Sequence, residues 1–297
     1  MKILVTSLAA LGVPGLALAA DLTVSTATGD ATVPSNPGTV VALDLAAIDA
    51  LDALGVELAG VPDITPPAYL QGAMEGVARV GTLFEPDYEA LAVMSPDLIV
   101  AGGRSQTVVT PLSAVAPTID MTITGEALID EARARVATYG EIFDRADAAA
   151  ELTGALDDRI AEVQEAVADK GDALILLTNG GKLSAYGAES RFGWLHAALD
   201  LPEAFPELDA DTHGEAVSFE FIAEVDPDWI LVIDRGAAIG QEGEAAQATL
   251  DNPLVAGTKA AQNGQILYLD SAPLYLAGGG IRSLMGTLDQ IEAGFSR

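Results

Sequence analysis

The chain has 297 residues, with 14 Lys and Arg against 44 Asp and Glu, and its formal net charge is −30. Half of the residues are hydrophobic, which excludes an intrinsically disordered chain. So acidic a surface is also a poor partner for nucleic acid or for an anionic membrane, because binding to phosphate depends on clustered Lys and Arg. The length suffices for two domains of ordinary size, each with its own core.

The first 20 residues have the pattern of a secretory signal peptide. Lys2 precedes an apolar stretch that is interrupted by Gly12 and Pro14, and small residues precede Asp21. This stretch is too short and too interrupted for a membrane span. The sequence contains no cysteine, so it predicts no disulfide, no thiolate metal site and no lipidated N-terminal Cys. We expect residues 1–20 to be cleaved and the mature protein to be free in the periplasm, without a lipid anchor.

Short β-rich runs then alternate with helical patterns along the chain, which predicts an α/β fold with mostly parallel sheets. The first unit is a strand that runs into Asp44 as a helix cap, and a helix that Gly55 closes. The predicted strands are Val40–Leu43, Leu98–Ala101, Ala173–Leu177, Trp229–Ile233 and Ile266–Leu269.

One long segment, residues 127–168, separates the strands into two groups. It is rich in Ala, Glu, Asp and Arg, and its only breaker residues are Gly140 and Gly154. A continuous helix from Tyr139 to Ala168 would reach roughly 45 Å, which exceeds the width of a small domain. We therefore predict an N-terminal lobe at 21–138, a connecting helix at 139–169 and a C-terminal lobe at 170–297. An ordinary packed helix pair broken near Gly154 remains the alternative.

A short sequence pattern occurs once in each predicted lobe. Residues 90–104 read ALAVMSPDLIVAGGR and residues 221–235 read FIAEVDPDWILVIDR. In both, Pro stops a helix, a buried strand follows, and an Arg stands after the strand. Since ligands of open α/β sheets lie at the carboxyl ends of strands, Arg104 and Arg235 are candidate ligand contacts.

Six motifs, in order, cover nearly the whole mature chain. They are GTLFEPDYEAL (81–91), SPDLIVAGGR (95–104), SAYGAESRFGWLHAALDL (184–201), HGEAVSFEFI (213–222), DPDWILVIDR (226–235) and YLDSAPLYLAGGGIRSL (268–284). Together they resemble the cluster A (class III) periplasmic binding proteins for iron siderophores, and most closely the catecholate-binding branch. The resemblance implies two α/β lobes joined by one long helix, with the ligand held between them.

The resemblance also implies which residues contact the ligand. Three arginines of the family pattern correspond to Arg104, Arg191 and Arg235, and Tyr186 is expected to line the cleft. A ferric ion wrapped by three catecholates carries a net charge of roughly −3, which three guanidinium groups can neutralise while donating hydrogen bonds. For each Arg taken singly, a surface salt bridge remains the alternative.

Some members of the branch use one His and one Tyr to fill iron positions that a tetradentate siderophore leaves open. His213 and Tyr275 stand at these motif positions, whereas His196 lies on an apparent amphipathic helix, where a packed or surface role is expected and ligation is not. Iron(III) accepts phenolate oxygen readily and imidazole nitrogen acceptably. A hydrogen-bonded loop histidine is the alternative for His213. The sequence departs from the family at Leu274, where an aromatic residue often stands, and this affects the identity of the siderophore more than its class.

The family further implies a partner, the permease dimer of an ABC transporter. One Glu per lobe meets permease arginines in the family, and Glu85 and Glu220 are the corresponding residues. An acidic residue near a helix N-terminus is favourable by the helix dipole alone, which is the alternative for both. We expect a monomer with no cofactor of its own, since iron(III) is carried as part of the ligand.

Catalysis is the competing class of function. No G-x-S-x-G elbow, HExxH motif, P-loop or dinucleotide fingerprint is present, and there is no Cys nucleophile. The run Gly278–Gly280 is expected to serve close backbone approach or a turn. We therefore expect a binding protein and not an enzyme. A binder of haem, a corrinoid or a hydroxamate siderophore with the same fold stays open.

Overall fold

The structure is a computed structural model that describes residues 21–125, 127–208, 214–241, 243 and 245–297. The first lobe contains an N-terminal hairpin and a five-stranded sheet with helices between its strands. Its elements are β1 (Asp21–Thr26), β2 (Gly29–Pro34), β3 (Val40–Ala42), α1 (Leu45–Ala53), β4 (Gly60–Val61), α2 (Gln71–Met74), β5 (Ala78–Arg79), α3 (Tyr88–Met94), β6 (Leu98–Ala101), α4 (Val109–Leu112) and β7 (Thr118–Asp120). Short 3-10 helices occupy Ala68–Leu70 and Gly103–Val108.

The sheet of the first lobe has the order β5-β4-β3-β6-β7, and all of its pairs are parallel. β3 and β6 are buried along their whole length, as expected for central strands covered by helices on both faces. Asp44 caps α1 by accepting a hydrogen bond from the backbone N–H of Ala47 at 3.1 Å, so the cap predicted from the sequence is observed.

Two helices connect the lobes, α5 (Leu128–Ile142) and α6 (Ala146–Val167). The connecting helix predicted at 139–169 is therefore shorter than expected, and Tyr139 lies in α5. The chain breaks at Asp144, which adopts a left-handed conformation with φ of 54°, and not at Gly154, which lies inside α6. Gly140 lets the two helices pack closely, because a Cβ there would lie 2.6 Å from Cβ of Ala149. At 22 residues, α6 is roughly 33 Å long.

The second lobe repeats the arrangement with a five-stranded sheet. Its elements are β8 (Ala173–Asn179), β9 (Lys182–Tyr186), α7 (Trp194–Ala197), β10 (Glu215–Val217), α8 (Phe219–Val225), β11 (Trp229–Asp234), α9 (Arg235–Ala238), α10 (Ala246–Leu250), α11 (Pro253–Ala256), α12 (Lys259–Gln262), β12 (Ile266–Tyr268), α13 (Ser271–Leu276) and α14 (Ile281–Phe295). The sheet order is β10-β9-β8-β11-β12. β8, β11 and β12 are parallel, and β9 runs antiparallel to both of its neighbours, β8 and β10.

The two-lobe architecture expected from the sequence is confirmed, and all five predicted strands are present. Trp229 illustrates how the second lobe packs, since its ring stacks on Phe295 of α14 with centroids 3.8 Å apart. Among the helices of the described ranges, none is long and apolar enough to cross a membrane.

The last helix ties the two lobes together. α14 packs against both α6 and α1, so the helix contacts the first lobe at its beginning, while Phe295 near its end packs on Trp229 of the second lobe. Asp49 of α1 is fully buried and accepts hydrogen bonds from the backbone N–H groups of Arg282 at 3.0 Å and Ser283 at 2.9 Å, and from the hydroxyl of Tyr69 at 2.8 Å. These bonds satisfy free N–H groups of the first turn of α14. The segment that leads into α14 is thereby fixed between the lobes.

Candidate functional site

Arg104 and Arg235 stand at equivalent carboxyl ends of strands, one in each lobe. Arg104 follows β6 in a 3-10 helix. Gly102, just before this helix, lies so close to the backbone after β7 that a Cβ would be 2.9 Å from the backbone nitrogen of Thr122. Arg235 begins α9 directly after β11, and Asp234 caps this short helix by accepting from the N–H of Ala237 at 3.0 Å. The repeated sequence pattern therefore delivers both arginines to the space between the lobes.

Arg191 comes from a compact loop between β9 and α7. The hydroxyl of Ser190 donates to the carbonyl of Gly187 at 2.6 Å, which closes the loop on itself. Gly193 permits this closure, because a Cβ there would lie 1.9 Å from the carbonyl oxygen of Ala188. The loop places the Arg191 guanidinium over the ring of Phe192, with Cζ 5.0 Å from its centroid.

Tyr275 of α13 is the residue at which all three arginines meet. Arg191 Nη2 donates to its carbonyl oxygen at 2.5 Å, and Arg104 Nη2 donates to the same oxygen at 3.1 Å. Arg235 Nε donates to its hydroxyl at 3.2 Å. The Cζ atoms of Arg191 and Arg104 lie 4.4 and 5.3 Å from the centroid of its ring. Since Arg104 belongs to the first lobe and Tyr275 to the second, these contacts cross the cleft.

The three positive charges change the acidity of the Tyr275 hydroxyl. Burial raises its pKa, but the hydrogen bond from Arg235 and the charges of Arg191, Arg235 and Arg104 together outweigh burial, so the pKa lies below its ordinary value of 10.0. The pKa of Arg191 is lowered by burial and by the neighbouring charge of Arg104. An anion that entered the cleft would relieve the repulsion between these guanidinium groups, and a phenolate at Tyr275 would be available to a hard cation.

A cavity of about 590 Å³ lies between the lobes at this point. It is lined by Asp44, Ala46, Gly103, Arg104, Gln106, Thr122, Ile123, Thr124, Gly125, Leu128, Arg191, Phe192, Trp194, Leu274, Tyr275, Leu276 and Gly278. Both lobes contribute to this wall. Arg235 approaches it through the Tyr275 hydroxyl and also donates to the side-chain oxygen of Asn179 at 3.3 Å. The volume is within the range of pockets that bind small molecules.

Asp44 is the one carboxylate among the described residues that line the cavity. Burial raises its pKa from 3.8 to about 6, although hydrogen bonds from the N–H groups of Ala47, Ala46 and Leu45 and the charge of Arg104 oppose the shift. The cap of α1 is therefore also a titratable group of the cleft. Its charge is lost as the pH falls through about 6, which makes the cleft more positive.

We predict that Asp44→Asn stabilises the protein at neutral pH. An acid whose pKa is raised by folding costs stability once the pH exceeds its unfolded value, and this cost grows between about pH 4 and pH 6. A rise from 3.8 to about 6 corresponds to at most about 3 kcal/mol at pH 7.5. Asn retains the oxygen that caps the helix. Urea unfolding should show a more stable variant at pH 7.5 and little difference at pH 3.5, and an equal difference at both values would contradict this account.

Trp194 is the tryptophan whose fluorescence should respond to a ligand in the cleft. It lines the cavity, whereas Trp229, the other tryptophan of the chain, is stacked on Phe295 and donates to the carbonyl of Lys170 at 3.1 Å. We predict that a ligand that quenches tryptophan fluorescence acts on Trp194. Trp194→Phe should abolish ligand-dependent quenching, while Trp229→Phe should leave it, and a calorimetric titration provides the affinity of each variant independently. Quenching that survived in Trp194→Phe would contradict the assignment.

Tyr186 supports the cavity wall and does not line it. Tyr186 is 4% exposed and packs edge to face against Phe192, with centroids 4.8 Å apart, so it supports the wall from behind. Its direct contact with a ligand stays a prediction. His213 lies outside the described residues. His196 is buried on α7 with Nδ1 2.9 Å from the carbonyl oxygen of Leu201, so it packs as expected from the sequence.

Glu85 and Glu220 are exposed and lie outside the cavity wall. Glu85 ends a tight turn before α3, and Glu220 is in the first turn of α8. Within the described part of the chain, no group of three or more His, Asp or Glu side chains is arranged to hold a metal ion.

Sequence reasoning misses three members of the site. Asp44 is predicted only as a helix cap, and Phe192 and Asn179 are not singled out. The position of Asp44 at the carboxyl end of β3 could have identified it by the same rule that identifies Arg104. Asn179 is the last residue of β8, so the same rule could have identified it. No sequence rule predicts that the Phe192 ring packs against the Arg191 guanidinium.

Comparison with known proteins places this geometry in context. The profile of a family described as periplasmic binding protein matches residues 40–273. The petrobactin-binding protein YclQ of Bacillus subtilis is 36% identical over 270 residues, which cover 89% of this chain and 84% of YclQ. The ferric-anguibactin-binding protein FatB of Vibrio anguillarum is 30% identical over 274 residues, 90% of this chain and 85% of FatB.

Solved structures show the same fold. The crystal structure of YclQ superposes with a TM-score of 0.90 at 33% identity and covers 94% of this chain and 99% of its own. The periplasmic catecholate-siderophore binding protein VctP of Vibrio cholerae superposes with a TM-score of 0.86 at 29% identity, with 92% of this chain and 100% of VctP covered.

Proposed function

The chain belongs to the periplasmic binding protein family, and from this we propose that it captures a ferric siderophore, of the catecholate type, and delivers it to an ABC importer. The observation that carries the proposal is the meeting of Arg104, Arg191 and Arg235 at Tyr275, between the two lobes. In a chain with 14 basic residues and a net charge of −30, three guanidinium groups in one cleft indicate an anionic ligand.

The names of the relatives support a ferric siderophore as the ligand. Besides the proteins named for petrobactin and anguibactin, a structure similar at 29% identity is described as BauB bound to acinetobactin and ferric iron. Among possible iron ligands, catecholate oxygens keep a net negative charge on the complex, whereas a ferric hydroxamate is close to neutral and does not need three arginines. Charge-assisted hydrogen bonds from the guanidinium groups would hold the catecholate oxygens.

Tyr275 extends the proposal to the iron itself. Its hydroxyl has a lowered pKa and lies beside Arg235, so it can supply a phenolate oxygen to a ferric ion whose siderophore leaves positions open. His213 is proposed as the second such ligand on the basis of its motif position alone. Iron is cargo in this scheme, and the protein supplies no catalysis.

The remaining parts of the proposal concern location and transport. We propose that residues 1–20 are cleaved and that the mature monomer is free in the periplasm, because the sequence contains no Cys that could carry a lipid. Glu85 and Glu220 are proposed to meet basic residues of the permease dimer, one lobe to each subunit. Mass spectrometry of the protein purified from its native host gives the mature N-terminus directly.

The ligand class is tested by co-elution. The purified protein is mixed with a ferric catecholate, ferric citrate, a ferric hydroxamate, haem or a corrinoid, and passed over a gel-filtration column. We expect the visible absorption of the ferric catecholate to elute with the protein at one complex per chain. Co-elution of haem, the corrinoid or the hydroxamate instead would overturn the ligand assignment, and each of these ligands is recognised by its own visible spectrum.

A further inference from the structure

The exposed large apolar side chains of the described residues concentrate around the two predicted docking glutamates. Phe84, Tyr88, Val93 and Leu254 are 62, 37, 82 and 39% exposed. Single exposed apolar residues are normal on any surface, but three of these four lie within ten residues that include Glu85. The fourth, Leu254, is on α11, which packs against α8, the helix that carries Glu220.

Phe84 is held out from the first lobe by a rigid turn. The hydroxyl oxygen of Thr82 accepts hydrogen bonds from the N–H groups of Phe84 at 3.3 Å and Glu85 at 2.9 Å, and the N–H of Thr82 donates to the carbonyl of Glu85 at 2.9 Å. Gly81 has a φ of 85°, and a Cβ there would lie 2.4 Å from the backbone nitrogen of Asp87. Because the turn is already ordered, burial of the Phe84 ring in a partner would cost little conformational entropy.

The same Phe-Glu pair recurs at the equivalent place in the second lobe. Phe84-Glu85 follows the edge strand β5 and lies just before α3, β6 and Arg104, while Phe219-Glu220 follows the edge strand β10 and begins α8, which precedes β11 and Arg235. The two aromatic rings differ in exposure, however. Phe219 is half-buried and packs against the core of its lobe, whereas Phe84 is exposed. The lobes therefore present similar acids but unequal apolar surfaces.

The charge around Phe84 defines the chemistry of its partner. Glu85, Asp87 and Glu89 are all exposed within five residues of the ring, so an aromatic side chain stands among three carboxylates. A complementary surface would offer an apolar pocket bordered by Arg or Lys. Aromatic side chains that fill such central pockets commonly carry much of the energy of an interface.

We propose that Phe84 is the apolar anchor by which the first lobe docks on a basic-rimmed pocket of one subunit of the membrane permease, and that the second lobe, with Leu254, contributes less. This inference rests on the proposed function, because it needs a transporter as the occupant of the surface. Beyond the glutamate contacts, it assigns an aromatic anchor to the first lobe. It also implies that the two lobes contribute unequally to docking on the permease.

The test measures transport and ligand binding separately. The native host, with its own copy replaced by each variant at matched periplasmic amounts, is assayed for uptake of a radioactive ferric catecholate, and the purified variants are titrated with the same complex. We expect Phe84→Ser to lower the initial uptake rate at least tenfold. Leu254→Ser should lower the uptake rate less. Phe84→Leu should retain most of the wild-type rate, and the exposed control Glu151→Ser should leave the rate unchanged. The affinity for the ferric catecholate should stay within about twofold in all four variants.

The outcomes separate this inference from the proposed function. Wild-type uptake by Phe84→Ser, together with intact ligand binding, would show that Phe84 is not an anchor and overturn the inference alone. A loss of uptake by Leu254→Ser as large as that of Phe84→Ser would overturn the unequal division. If the wild-type protein bound no ferric catecholate, the proposed function would fail first, and the inference with it.

Discussion

Replacement of Arg104, Arg191 and Arg235 together by Ala is expected to weaken binding of a ferric catecholate at least 10³-fold, about 4 kcal/mol. Each guanidinium can donate charge-assisted hydrogen bonds to the complex, and bonds to charged groups contribute about 1.5–3 kcal/mol each. The three effects do not add fully, because the side chains share Tyr275 as a partner. The affinity is measured by calorimetric titration at fixed ionic strength.

A matched control separates the site from bulk charge. Arg145 is exposed, donates to the carbonyls of Phe143 and Asp144 and lies outside the cavity wall, so Arg145→Ala removes one guanidinium charge from the surface and is the matched control for each single Arg→Ala variant of the site. We expect it to change the affinity less than twofold, since exposed charges beyond a Debye length are largely screened. Thermal unfolding of the triple variant verifies that it is folded. A folded triple variant with wild-type affinity would remove the arginines from the ligand site.

Tyr275→Phe is expected to discriminate between siderophores by their denticity. If the phenolate of Tyr275 fills an iron position, a tetradentate ferric catecholate should lose about 100-fold in affinity, and the visible charge-transfer band of its complex should shift. A hexadentate complex leaves no position open, so its affinity should change less than tenfold. The variant keeps the ring that lies against Arg104 and Arg191, and therefore isolates the hydroxyl.

His213→Ala provides the comparison for this experiment. It should reproduce the loss for the tetradentate complex if the two residues act together at the iron, and it leaves the side chain of Tyr275 itself unchanged. Equal losses for tetradentate and hexadentate complexes in Tyr275→Phe would contradict iron ligation. Such a result would indicate that the hydroxyl acts through its hydrogen bond with Arg235.

The sequence predicts the parts of this protein that follow from local rules. The strands before Arg104 and Arg235 are continuous apolar runs that follow a Pro. Such runs are typical of strands that are buried on both faces of a parallel sheet, so their presence and approximate ends can be read from the sequence. Because carboxyl ends of parallel strands meet at one edge, two of the three arginines could be located without a structure. Arg191 could be found only through the family motif, since its loop is closed by contacts of Ser190 and Gly193 that no periodicity reveals.

Other features depend on contacts between distant segments. The break between α5 and α6 is made by Asp144, a residue that adopts the left-handed conformation less readily than Gly, so neither the predicted continuous helix from Tyr139 nor the alternative break near Gly154 located it. The raised pKa of Asp44 follows from burial in the assembled cleft and not from its own neighbours in the chain. Convergence of the arginines on Tyr275 likewise requires α13 to be fixed between the lobes, and the bonds of Asp49 to the start of α14 provide that restraint.

One comparison of dissociation constants tests whether the cleft selects an anionic ferric complex. A ferric catecholate with a net negative charge and a ferric hydroxamate close to neutral are titrated into the wild-type protein under the same conditions, with Trp194 fluorescence as the readout. We predict that the catecholate binds at least 100-fold more tightly, because only its negative charge offsets the repulsion among the three guanidinium groups. Equal affinities, or a preference for the hydroxamate, would contradict it.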